Sequence, residues 1–441
     1  MDQRDSIFYR DRSKIYPLIE RGEGIYIYDD NGKRYIDATG GPMVVNIGHA
    51  VPEVIDAMVQ QARKICFAHT ESYVTRPQLE FAQKVIEFAP RGMSKVYFVS
   101  GGSEATEVAL KMVRQYQLER GESSRFKVIG RWEGYHGGTM GALSLTGHKM
   151  RGKDYLPYLV NLPHIHAPYC YRCRFGKEYP SCEMTCAYDL ERIIKEEGKE
   201  TIAAFISEPV TGSSLGAMSP PPEYFPIIRE ICNRYGILLI LDEVITGFGR
   251  TGKNFGIDHW GVIPDLIVTA KGMSSGYTPL GAVIVHDKVH DVFMSPKRTS
   301  FFTGYTYSGN PLSCAVGLAV LRYIEKYRLV QRSADMGNYL LKKLVPLREF
   351  PTVGDIRGKG LLIGIELVQD RRTKTPFDKS KKVGGTIVRK SFENGLSIKT
   401  GHGLEDVGDI LMIAPPFTVT ESEIDQIVDI LTSVICEVVG S

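Results

Sequence analysis

The sequence predicts an α/β protein: a large domain with a mostly parallel, doubly wound sheet, and a smaller α+β domain built from both chain ends. Three observations predict it. From about residue 94 to 285, short β-rich apolar runs alternate with longer stretches of helical spacing. Several of those runs are apolar without alternation, the pattern of strands covered on both faces. Outside that region, amphipathic helices mix with isolated short strands, which suits an accessory domain.

In chain order, "GIYIYDD" reads as a short strand within residues 1–60, the N-terminal part of the smaller domain. The large domain, 61–315, carries the strand candidates "KVYFV", "FKVIG", "IAAFIS", "ILLIL", "DLIVTA" and "GAVIV", each bounded by turn or helix signals. Residues 316–441 complete the smaller domain with the strand "GLLIGIEL" and the helix "ESEIDQIVDILTSVICEVV", while "PLSCAVGLAVLRYIEKY" supplies a helix at the junction. At 441 residues the chain is too long for one hydrophobic core, which is why two domains are expected.

With 43% hydrophobic and 24% charged residues, the composition is that of an ordinary globular protein. A formal net charge of +3, without a basic stripe, argues against a nucleic-acid partner. No apolar run is long enough to cross a membrane. The charged start "MDQRDSIFYRDRSK" lacks the apolar core of a leader peptide, so a cytoplasmic protein with reduced cysteines is expected.

Three central runs share a feature. "AAFISEP" reaches Glu208, "ILLILDE" reaches Asp242 and "LIVTAK" reaches Lys271, so each buried strand delivers an ionisable group at its carboxyl end. That edge is where open α/β sheets bind ligands. Any one strand must end in something polar, but two acids and a lysine together point to a site. Beside them "VYFV" gives way to Gly101, Gly102 and Ser103 at the mouth of a helix, whose N–H groups and dipole suit a phosphate. Taken alone, an N-capping serine after a turn accounts for the same residues. A phosphate site, a lysine and an acid are together what pyridoxal phosphate requires: an amine for its aldehyde, an anion hole, and a carboxylate for its ring nitrogen.

Over nearly its whole length the chain resembles the class III (ω-) aminotransferases of pyridoxal-phosphate fold type I. The resemblance rests on "YIDATGGPMVVNIGHAVPEV", "SGGSEATEVALK", "GYHGGTMGALSLTG", "SEPVTG", "LILDEVITGFGRTG", "PDLIVTAKGMSSGYTPLGAVIV", "TYSGNPLSCA" and "GDILMIAPPFTVT".

Carried over by position, the resemblance implies that Lys271 is the Schiff-base lysine and Asp242 the partner of the pyridine nitrogen. It makes Gly101, Gly102 and Ser103 the phosphate cradle, although relatives usually have serine at the first. Tyr135 in "GYHG" matches the aromatic that stacks on the ring, with His136 beside it, and Val244 the aliphatic on the other face. Glu208 matches the acid near the ring hydroxyl. Thr306 in "GYTYSGNP", next to Tyr305, resembles the threonine that reaches the phosphate of a neighbouring subunit, which implies a homodimer. The implied reaction is ping-pong transfer of an amino group from an amine donor to an oxo acid, with the freed Lys271 amine moving the proton.

The pattern also departs from that family. Where many relatives carry an arginine that grips the substrate carboxylate, the chain reads "GLSIKTGHGLEDVGD", with Lys399 near the expected place and "GHGLED" inserted. Lysine offers a point charge without the bidentate fork. Met43 stands where several amine transaminases place tryptophan, which suggests a more adaptable pocket. Tyr73 is a candidate wall from the partner subunit, or an ordinary core tyrosine.

Cys170, Cys173, Cys182 and Cys186 form a C-x2-C-x8-C-x3-C array. Such spacing can bind zinc, but the resemblance implies no metal, and reduced cysteines packing a loop near the site entrance are expected. His49, His148 and His259 read as satisfied structural residues.

The expected activity is therefore transfer of an amino group from a primary amine, ω-amino acid or β-amino compound, of the β-alanine, taurine or 3-aminoacyl-CoA kind, to pyruvate or 2-oxoglutarate. A racemase, epimerase or aminomutase on the same fold, needing no co-substrate, is the alternative.

Overall fold

The apolar runs of the central region fold as strands because each side of them has something to bury against. The computed structural model describes residues 6–12, 14–294, 300–401 and 407–440. Among the described residues the strands form three sheets.

The central sheet contains β4 (Met93–Val99), β5 (Lys127–Trp132), β6 (Thr146–Gly147), β7 (His164–Ile165), β8 (Ile202–Ser207), β9 (Leu238–Asp242), β10 (Leu266–Thr269) and β11 (Gly281–His286). Its order is β4-β11-β10-β9-β8-β5-β6, with β7 also paired to β5. Strands β5, β8, β9 and β10 run parallel; α-helices separate β5 from β8 and β8 from β9, and a long loop over 243–265 with one 3-10 turn carries the chain from β9 to β10. β11 is antiparallel to both β10 and β4. The short link from Ala270 to Leu280 explains the reversal: it is too short to cross back over the sheet, whereas the loop over 243–265 before β10 is long enough.

Every residue of β8, β9 and β10 is buried, and successive residues face opposite layers. Leu238 and Ile240 pack with Val108, Ala109 and Val113 of the helix Gly102–Glu119, whereas Leu239 and Leu241 pack on the side of Phe225 and Ile228 in the helix Tyr224–Tyr235. Burial of each such side chain is worth about 1.5–3 kcal/mol, which pins the register and hence the height at which each strand ends.

The other two sheets draw on the chain ends. A meander of β1 (Ile19–Glu23), β2 (Tyr26–Asp29) and β3 (Arg34–Asp37) is completed by β14 (Leu396–Ser397), which pairs parallel to β3 with Leu396 opposite Ile36. The third sheet, β12-β13-β16-β15, comprises β12 (Val353–Lys359), β13 (Leu362–Leu367), β15 (Lys399–Thr400) and β16 (Asp409–Ile413). Arg250 ties the ends to the centre: fully buried, it donates to the carbonyls of Leu361 and Pro415 and to Asn46 Oδ1 at 2.7–2.9 Å. Among the described residues no helix is long and apolar enough to cross a membrane.

Candidate active site

β8, β9 and β10 end side by side, and a cavity of about 430 Å³ lies at their carboxyl edge. Gly101, Gly102, Ser103, Tyr135, His136, Glu208, Asp242, Val244 and Lys271 all line it, so nine positions scattered over 170 residues of sequence meet in one place.

Asp242 is the last residue of β9 and is buried. Its Oδ1 accepts the Val244 N–H at 3.1 Å and its Oδ2 lies 2.8 Å from His136 Nδ1. The other imidazole nitrogen is buried and has no hydrogen-bond partner among the described residues. Glu208 follows β8, and its Oε2 accepts from Arg131 Nη2 at 3.1 Å, a guanidinium that also reaches Thr211 Oγ1 at 2.8 Å. Burial raises the Glu208 carboxyl above its ordinary range, while Arg131 and His136 pull it down.

Lys271 follows β10 by two residues and has φ of 42°, in the left-handed region that costs a side-chain-bearing residue about 1–2 kcal/mol. Strain of this kind persists where the surroundings over-determine it, and clusters at functional sites. Burial lowers the amine from its ordinary value to about 8; Asp242 and Glu208 oppose the shift, and Lys399 and Arg151 add to it.

The helix Gly102–Glu119 begins at the cavity and no side chain caps it. Ser103 is not an N-cap: it sits inside the first turn, and its Oγ accepts the Gly138 N–H at 3.0 Å. The N–H groups of that turn have no partner inside the helix, which leaves an anion site of the kind a phosphate fills. A side chain at Gly102 would press within 3.0 Å of Val244, so glycine lets the helix mouth approach the strand-end loop this closely. A half-buried lysine with a lowered amine, a buried carboxylate and an uncapped helix mouth around one cavity fit pyridoxal phosphate.

Five predicted residues lie elsewhere. Met43 is 1% exposed and packs in the core with Val210 and Met412, and its neighbour Val44 lines the cavity instead. Tyr73 is exposed. Tyr305 and Thr306 line a second cavity together with His69 and Phe301. Lys399 is half-buried on β15 without lining the cavity, and residues 402–406, most of the insertion, lie outside the described residues. Sequence reasoning gave no role to Arg131 or Arg250, though "IGRWEGYHG" and "GFGRTG" place an arginine beside a recognisable motif. Nor did it explain Glu243, whose carboxylate accepts the N–H groups of Gly256 and Ile257, each at 2.8 Å, and so holds a loop rather than a ligand.

All four clustered cysteines are free thiols. Burial, followed by the neighbouring thiols of Cys170, Cys182 and Cys173, pushes Cys186 up to about 12. Among the described residues no group of three or more His, Cys, Asp or Glu is arranged to hold a metal ion. His49 faces Asp37 at 3.1 Å and His259 the Thr251 carbonyl at 3.0 Å.

Residues 7–435 match the model of the class-III aminotransferase family. The chain is a class-III aminotransferase. Such enzymes use pyridoxal phosphate, in keeping with the site. The diaminobutyrate–2-oxoglutarate transaminase of Halomonas elongata is 40% identical over 93% of this aminotransferase and 88% of its own length. The putrescine–pyruvate aminotransferase of Pseudomonas aeruginosa is 38% identical with the same coverages. Among solved structures, an (S)-enantioselective ω-transaminase from Thermomicrobium roseum superposes with a TM-score of 0.91 at 38% identity, covering 97% of this chain and 94% of that one. The ω-transaminase of Pseudomonas jessenii, solved in complex with PMP, gives 0.91 at 37% identity, covering 96% and 93%.

Proposed function

We propose that this aminotransferase takes an amino group from a primary amine, an ω-amino acid or a β-amino compound and passes it to an oxo acid such as pyruvate or 2-oxoglutarate, in a ping-pong cycle. The observation that carries the reading is Lys271, its amine lowered to about 8, at one sheet edge with Asp242 and Glu208. Relatives named for putrescine and for diaminobutyrate support a donor that presents a terminal amine. Donors of the β-alanine, taurine and 3-aminoacyl-CoA kind fall within the same proposal.

Bound in the cavity, pyridoxal phosphate supplies an aldehyde that condenses with amines and a ring that withdraws electrons from the substrate carbon. Lys271 holds the site between turnovers. With its amine near 8, an appreciable fraction is unprotonated at neutral pH, so the freed side chain can take a proton from the substrate carbon and return it one position away. The Asp242 carboxylate would be the partner of the ring nitrogen and would favour its protonated form. Tyr135 and Val244 would hold the ring between them, and the helix mouth at Gly101 to Ser103 would take the phosphate. Glu208, held by Arg131, orients groups near the ring hydroxyl. Tyr305 and Thr306 reach a second copy's phosphate in this reading, which makes the working unit a cytoplasmic homodimer.

The test is a visible spectrum of the purified protein, titrated with a panel of amines and then with pyruvate or 2-oxoglutarate. A cofactor band that shifts with donor and returns with oxo acid supports the proposal. A band that persists while the amine is epimerised or rearranged supports an isomerase, and no band after adding pyridoxal phosphate overturns the cofactor roles.

A further inference from the structure

A buried carboxylate away from the cavity has no part in the chemistry above. Glu366, on β13, is 0% exposed, and four donors from three separate segments converge on its two oxygens. Oε1 accepts Arg172 Nε at 2.7 Å and the Gly408 N–H at 3.2 Å. Oε2 accepts the Tyr169 hydroxyl, and also Arg357 Nη2 at 3.2 Å. Tyr169 and Arg172 flank the first cysteine of the clustered array, Arg357 is on β12, and Gly408 follows the insertion. Asp355 stands directly across from Glu366 in the pairing of β12 with β13, an unfavourable match of like charges. Arg357 bridges the two acids by donating Nη1 to Asp355 Oδ2 at 2.8 Å.

The same guanidinium reaches toward the cavity. Its Nε donates to the Gly216 carbonyl at 2.8 Å and its Nη2 to the Leu215 carbonyl at 2.7 Å. Those carbonyls lie in a loop closed at its base by the Thr211 N–H, which donates to the Met218 carbonyl at 2.9 Å. The loop sits directly on β13, since a side chain at Gly364 would collide with the Gly216 carbonyl. At the base, Thr211 Oγ1 accepts at 2.8 Å from Arg131 Nη2, the nitrogen that also donates to Glu208 at 3.1 Å. Glu208 and Val210, just before the loop, line the cavity. An unbroken run of contacts therefore leads from Glu366 through Arg357, the 211–218 loop and Arg131 to Glu208.

We propose that Glu366 is a positioning residue for the reaction: acting through Arg357 and the 211–218 loop, it sets where Glu208 stands at the cavity edge. Net stability is a poor reason for such a cluster, because desolvation offsets much of the attraction and apolar side chains of equal volume hold a fold about as well. What convergent donors do supply is one arrangement of the segments that carry them. Here those segments are the loops beside the site, and the one nearest the cavity carries the threonine that shares a donor with Glu208. The proposal rests on the transaminase reading above, in which Glu208 orients groups near the cofactor ring.

The experiment is a double-mutant cycle between Glu366→Gln and Glu208→Gln on the cofactor-loaded enzyme, read as kcat and as the visible cofactor band, with hydrogen exchange over 211–218 followed by mass spectrometry. Glu366→Gln is expected to lower kcat by about tenfold, to shift the band, and to speed exchange over 211–218 by about tenfold. In the Glu208→Gln background the same substitution changes kcat by less than about twofold and leaves the band where Glu208→Gln alone puts it, because Glu208 is the group through which it acts. Arg357→Lys keeps the charge but loses the fork on the Leu215 and Gly216 carbonyls, so it reproduces the loss of kcat and the faster exchange, and it carries the test should Glu366→Gln fail to fold. Equal losses from Glu366→Gln in both backgrounds overturn the proposal, since a merely structural defect acts alike in each. Unchanged exchange over 211–218 in both Glu366→Gln and Arg357→Lys overturns it as well. Exchange is read without turnover: faster exchange over 211–218 in an enzyme whose visible band ignores every amine would refute the transaminase reading while upholding the link from Glu366 to the loop.

Discussion

His136 Nδ1 and Asp242 Oδ2 lie 2.8 Å apart, both buried, at the end of β9. Together with the Val244 N–H on Oδ1, the pairing keeps Asp242 from rotating. Removing the negative charge should therefore cost more than removing the residue that orients it. Asp242→Asn is expected to lower kcat by about 100-fold or more, and His136→Asn by about tenfold, in single-turnover absorbance measurements with a saturating amine. Equal losses in the two variants would contradict this ranking.

Arg131 and Glu208 are 0% and 8% exposed as side chains and meet at 3.1 Å. Breaking one half of such a pair strands the other. Arg131→Met is expected to destabilise the protein by about 3–5 kcal/mol, and adding Glu208→Leu to recover a large part of the loss. Denaturant midpoints of the two single variants and the double variant test it; simple additivity would show that the pair is not coupled.

Lys271→Ala should abolish turnover and remove the visible band of covalently held cofactor while leaving the far-ultraviolet dichroism unchanged. Residual activity above the background of free pyridoxal phosphate would take Lys271 out of the mechanism.

The same residue predicts a pH effect on the cofactor-free protein. Its amine falls from 10.5 to about 8 on folding, chiefly through burial, so the unfolded chain binds more protons between those values. The cost of burying the charge is full below about pH 8 and fades as the pH rises toward 10.5. Lys271→Met should therefore be more stable than wild type by roughly 3 kcal/mol at neutral pH, with the gain vanishing at high pH. A gain independent of pH would point to packing alone.

Arg250 holds Asn46, Leu361 and Pro415 through fixed donors. Arg250→Met leaves several acceptors unsatisfied and should cost about 3 kcal/mol or more, and Arg250→Lys should not rescue it, since an ammonium cannot span the three sites. Melting temperatures, with limited proteolysis near residues 44–46, give the readout.

The central sheet was legible because unbroken apolar runs such as "ILLIL" have one good solution in an α/β protein, and because Glu208, Asp242 and Lys271 each end such a run. The antiparallel β11 was not: its apolar pattern is that of a parallel strand, and only the short link before it sets direction. Met43 and Val44 show a second limit. The left-handed φ of 59° at Met43 aims that side chain into the core, and nothing in "GGPMVV" reports such a turn. Arg131 and Arg250 escaped because a buried arginine is recognised by the carbonyls and acids around it, and those come from distant segments.

The parallel pairing of Ile36 with Leu396 bears on how the chain is made. A ribosome extends a protein by about 5–20 residues per second, so β3 leaves the exit tunnel on the order of tens of seconds before β14 exists. Throughout that interval the meander of β1 to β3 has an open edge, while the central sheet, complete once His286 has emerged, is free to form. Nascent chains halted before residue 396 would hold a finished catalytic floor beneath an unfinished meander, an intermediate that a chaperone or a second nascent copy is well placed to meet.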